Sequence, residues 1–217
     1  MNERIIKFNH SDLKWSFDDT NKPFISLPTK KWAHSEYVDP FPCYSHDEKL
    51  VTKMVEHCEG IVNLRFKPQY FIMPFEGYSR TNGYACANED YQSDKEAEKK
   101  LNPYIVLYGK RIYPHPAMTR YLVSHELGHI LEYTLHAILK QESEDFQKEY
   151  AKVRGIEYNK KYGALNHHTN IAEIIANDIR VGLFCVEPEF WVHDMELPTS
   201  NQKVMDFWKE MKEKYLS

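Results

Sequence analysis

The sequence predicts one α+β domain, on three observations. Two stretches carry apolar residues at helical spacing: 118–139 (Leu122, Val123, Leu127, Ile130, Leu131, Leu135, Ile138) and 170–185 (Ile171, Ile174, Ile175, Ile179, Leu183). Short β-branched and aromatic runs at 70–74 and 104–107 read as strands. The chain has 217 residues, 42% hydrophobic and 14% aromatic, enough for one substantial core and too apolar for disorder.

Taken in order, residues 1–45 are expected to be an extended segment wrapping the core, with 46–217 as the domain proper. Pro23, Pro28, Pro40 and Pro42 punctuate the first part, which has no helical period and at most a short strand near 24–27. A helix is expected at 46–60, with Leu50, Val51, Met54 and Val55 on one face and Gly60 as its stop. Strands follow at 70–74, 83–87 and 104–107, separated by the polar stretch 89–101. Pro116 suits the first position of the long helix that follows. The charged stretch 141–158 has a helical pattern, then come a loop at 159–168 and the second apolar helix. A last helix near 201–216 aligns Val204, Phe207, Trp208, Met211 and Tyr215, a core-packing pattern.

The net charge of −4 argues against a dedicated nucleic-acid surface, and the lysine pairs read as solvated faces. The first residues lack the apolar core of a signal peptide, and no apolar run approaches a membrane span. The four cysteines are scattered without a Cys-x-x-Cys pair, as expected of reduced thiols. A cytoplasmic protein with no membrane and no nucleic-acid partner is the expectation.

Within the long helix stands His125-Glu126-Leu127-Gly128-His129. Residues four apart share a helix face, so both imidazoles can grip one metal ion, and Glu126 between them can reach a water on that ion as general base. Composition alone would give about 0.05 such motifs in a chain of this kind. Gly128, the one glycine in the stretch, would let another backbone approach closely. The bland alternative is a core helix with two satisfied histidines.

The sequence at 123–131 resembles the active-site helix of zincin metallopeptidases. That resemblance implies a small twisted sheet packed on the His-Glu-x-x-His helix and on a downstream glutamate helix, a Zn2+ cofactor, and a protein or peptide substrate cleaved at a peptide bond. It does not extend to metzincins, whose third histidine and glycine would fall at Leu135 and Glu132, and His136 is out of register. The pattern Glu173-x-x-Ala176-Asn177-x-Ile179-x-x-x-Leu183-Phe184 resembles the second motif of the ImmA/IrrE metallopeptidases. On that resemblance Glu173 joins His125 and His129 as the third ligand; Asn177 stands where thermolysin-like enzymes carry an aspartate that orients the first histidine, so Asn177 or Asp178 is expected to orient a ligand imidazole. The family also suggests an intracellular protease with few substrates.

Other readings stay open. Asn170 and Glu173 have the spacing of a capping box. His167 or His168 is a rival ligand, or His168 donates to the oxyanion as a histidine does in thermolysin-like enzymes. Tyr158, Tyr162 and Arg180 are further oxyanion candidates. In zincins the strand before the metal helix is an edge strand that pairs with extended substrate, a place held here by 104–108. No Gly-x-Met-x-Asn element of the aminopeptidase type precedes the metal helix, which favours an endopeptidase. The competing class is a binding protein that keeps the scaffold without catalysis.

Overall fold

The structure is a computed structural model that describes all residues except 1–2, 14, 18, 21–22, 29–32, 38–40, 78–81, 88–101, 159–168 and 192, with backbone alone at 17, 23–28 and 33–37. In chain order the strands are β1 (Ile5–Lys7), β2 (Trp15–Phe17), β3 (Pro23–Pro28), β4 (Ala33–Tyr37), β5 (Gln69–Ile72), β6 (Gly83–Cys86) and β7 (Tyr104–Leu107). The helices are α1 (Glu48–Ile61), α2 (Pro116–Leu139), α3 (Ser143–Arg154), α4 (Ile171–Asp178) and α5 (Gln202–Tyr215). The α+β class is therefore present. Among the described residues, no helix is long and apolar enough to cross a membrane.

The main sheet has the order β1-β5-β7-β6, with β1, β5 and β7 parallel and β6 antiparallel. Side chains alternate across it, as the strand period requires. Tyr70, Ile72, Ile105 and Leu107 join the helical core, while Phe71, Met73, Tyr104 and Val106 bury on the other face with Phe75. Trp15 closes that second face, its ring 5.3 Å from Phe75. Both faces are covered, which is why these strands read as unbroken apolar runs.

Asp47 starts α1 by accepting from the amides of Lys49 (2.8 Å) and Leu50 (3.1 Å). The helix runs through Gly60 to Ile61, one residue past the expected stop. Val51, Met54, Val55 and Cys58 face α2 and the sheet. His115 caps α2 through the Ala117 amide, Pro116 follows at its first turn, and Lys140 ends it in the left-handed conformation (φ 52°). Its 24 residues pack against α1, α4, β6 and β7, so it is apolar nearly all round rather than on one stripe. The charged stretch does form a helix, α3, closed by Gly155 at φ 74°. It docks through a buried polar group: Arg154 Nε lies 3.2 Å from Asp178 Oδ2, Tyr150 donates to that same oxygen, and Trp208 Nε1 donates to the Tyr150 hydroxyl at 3.1 Å.

Two expectations change. The N-terminal segment is more than a wrap: its Ile-Ile-Lys run supplies β1, and β2-β3-β4 form an antiparallel sheet of their own. The strand at 104–108 is not an edge. β7 is hydrogen-bonded on both sides, by β5 and β6, and β6 is the last strand among the described residues.

Candidate metal centre

Glycine at 128 brings the two site helices together. A Cβ there would lie 2.7 Å from the carbonyl oxygen of Ala176 and 2.8 Å from its Cα, so any side chain would force α4 off α2. Asn170 caps α4 by accepting from the Ala172 amide at 3.0 Å, and Glu173 stands in the first turn. Its carboxylate then reaches both histidines: Oε2 lies 3.1 Å from His125 Nε2 and Oε1 lies 3.6 Å from His129 Nε2. One ligand atom from each of the three residues lies within 4.8 Å of the others, so the group could hold a metal ion. Two imidazole nitrogens and a carboxylate oxygen are a donor set suited to a borderline divalent cation and leave room for a further ligand.

The electrostatics fit a cation. Burial would raise Glu173, but hydrogen bonds to His125 and His129 outweigh it and hold the carboxylate far below its usual range. Burial lowers His125 to about 4 against the opposing bond to Glu173. Burial would lower His129 too, yet Glu132 and Glu173 lift it to about 10. The two imidazoles share Glu173; His129 is lifted further by Glu132 and Glu126, while His129 and Arg180 push His125 down. Two carboxyls, Glu126 and Glu132, lie buried around the pair, and Glu173 is half-buried beside them. Three carboxyls thus surround the two imidazoles, a setting that favours positive charge, on the His129 ring or on a bound cation.

Glu126 is 5% exposed and sits under β6. A Cβ on Gly83 would come within 3.5 Å of its Oε1 and 2.8 Å of the Val106 carbonyl, so β6 passes close over it. Burial raises its carboxyl to about 7, with the negative charge of Glu173 adding to the rise and His129 and the Ala85 backbone opposing it. Aromatic rings extend the same helix face: Tyr121 stacks on His125 (centroids 5.3 Å, planes 21° apart) and Tyr133 on His129 (6.5 Å, 21°).

Asn177 and Asp178 do not orient a ligand imidazole. Asn177 donates to the Glu173 carbonyl (3.1 Å) and to His193 Nε2 (3.0 Å), and its oxygen accepts from Arg180 Nε (3.2 Å). Asp178 is taken by Tyr150 and Arg154. Arg180 is fully buried behind Tyr121, its guanidinium 4.9 Å from that ring, so it touches the ring that covers His125 rather than the ligand group. Tyr158 has its ring over the Lys148 ammonium on α3. His167, His168 and Tyr162 lie outside the described residues. Sequence reasoning missed Glu132 and His193. The i, i+3 spacing from His129 was a usable signal for Glu132; nothing local marked His193.

No protein-family model, no curated protein and no solved structure matches the chain.

Proposed function

We propose that the chain is a zinc-dependent peptidase, an endopeptidase acting on a protein or peptide. The observation that carries this is the convergence of His125, His129 and Glu173 from two helices onto one point, with Glu126 on the turn between the histidines. His125 and His129 would hold the ion through Nε2 and Glu173 through its carboxylate. Zinc in such a site supplies Lewis acidity, activating water and polarising a carbonyl at neutral pH. Glu126 takes the proton from the attacking water and passes it to the leaving amine. The cover of β6 limits solvent around that carboxyl. The substrate runs extended along β6, the last strand of the sheet among the described residues, which lies over Glu126; this replaces the role expected of 104–108. The same cluster in a binding protein would have no use for Glu126.

The test is metal content by elemental mass spectrometry on wild type, His129→Ala and Glu173→Ala. Near-stoichiometric zinc, lost in both variants, is the expected result. Zinc lost in His129→Ala but kept in Glu173→Ala would move the third ligand to His167 or His168. No zinc in wild type after zinc is added back would overturn the reading.

A further inference from the structure

Glu132 is the one acidic residue of α2 that the proposed reaction leaves without a task. It is 1% exposed, and a carboxyl withdrawn that far from water needs partners. Its Oε1 has them: Gln147 Nε2 donates to it at 2.9 Å, and His136 Nε2 lies 3.6 Å away. Gln147 is anchored in turn on the Ser143 hydroxyl at 3.2 Å. The other oxygen, Oε2, is buried with no hydrogen-bond partner among the described residues and stands 4.0 Å from Nδ1 of His129.

That geometry has a chemical sense. An imidazole that binds metal through Nε2 carries its proton on Nδ1, and the N–H needs an acceptor to fix ring and tautomer. His129 turns Nε2 to Glu173, so Nδ1 points away from the ligand group and toward Glu132. Residue 132 is one turn beyond residue 129, so the acceptor is built into the helix that carries the ligand. Closing the gap to a hydrogen bond takes a shift of about 1 Å, within the reach of a carboxylate pivoting on its other oxygen. His125 has no such support: its Nδ1 is buried with no hydrogen-bond partner among the described residues.

We propose that Glu132 is a positioning residue for the metal: it holds His129 in the orientation and tautomer that present Nε2 to the ion, and Gln147 braces it from α3. This rests on the zinc reading above. It makes the charged helix α3, which follows the metal helix, part of the site's support.

The experiment is zinc affinity by competition with a chromogenic chelator, beside urea unfolding of the metal-free protein, on the full chain as wild type, Glu132→Gln, Glu132→Ala and His129→Ala. Glu132→Gln should bind zinc roughly 10–100-fold more weakly, the usual loss when such a partner is removed. Its metal-free stability should hold or rise, because a buried amide is less costly than a buried charge. A merely structural role would not separate these two readouts. In the zinc form, the Nδ1 proton of His129 should exchange slowly in wild type and shift upfield in Glu132→Gln by NMR. Unchanged zinc affinity in Glu132→Gln and in folded Glu132→Ala, with His129→Ala still deficient, overturns this proposal alone. A wild type that binds no zinc overturns the zinc reading and this proposal with it.

Discussion

Two buried polar groups share α4 and differ in kind. At its C-terminal end Asp178 meets Arg154 and Tyr150, with Trp208 closing over the tyrosine hydroxyl. One acid faces one base, and the group joins α3, α4 and α5. At its N-terminal end Glu173 meets two histidines, with Glu126 and Glu132 beside them. There one ligand atom from each of three side chains lies within 4.8 Å of the others, so the group converges on a point as well as pairing internally. A charge-balanced cluster fixes helices in place. One whose nitrogen and oxygen atoms converge on a point could hold a metal ion.

Experiments can break this contrast, beginning with the largest effect. Glu126→Gln should lower kcat by about 10²–10⁴-fold, the usual contribution of a general base, while zinc content stays at the wild-type level; equal loss of metal would show the residue to be structural. Arg154→Met should strand Asp178 and cost about 3–5 kcal/mol at pH 7.5 by urea unfolding, with zinc affinity little changed in the folded fraction. That defect should shrink in acid. Burial raises the Asp178 carboxyl from 3.8 to about 6 even against Arg154 and Tyr150, so the folded state binds its proton more tightly than the unfolded chain does. Stability from this group therefore grows as pH falls from above 6 toward 4, and loss of the arginine moves the onset to higher pH. A defect independent of pH would mean that Arg154 acts through packing alone.

Gly128→Ala should cost about 1–3 kcal/mol, since its Cβ has no space against Ala176, and should weaken zinc binding by parting the ligands. Competition titration beside urea unfolding tests both. Trp208→Phe, which deletes the pyrrole part of a buried indole together with its bond to Tyr150, should cost about 1–3 kcal/mol and leave zinc untouched. Together the four variants sort the two groups by what they lose: metal, stability, or both.

What could be read from the chain follows how local each signal is. The His125–His129 pair is legible because four residues make about one helical turn, and Gly128 because close helix packing demands a missing Cβ. Glu173 is a distant residue, marked by its surrounding Ala-Asn pattern. The sheet order was not legible: β7 and β6 are both short, and nothing in Tyr-Ile-Val-Leu says that it pairs on two sides. Ile5–Lys7 is too brief to show a period, yet the register Ile5↔Tyr70 places it in the main sheet. Asn177 misled because its spacing from Glu173 suits imidazole support, whereas the Arg180 guanidinium claims its oxygen.

Shared coordination by residues 125, 129 and 173 would also act as a clasp. The loop of chain that it closes contains α3, whose Gln147 leans on the clasp through Glu132. Metal loading would then be written into the opening kinetics of a helix that carries no ligand: amides of Ser143–Arg154 should exchange with solvent more slowly when zinc is bound than when it is stripped, and a protease should cut the stripped chain there first.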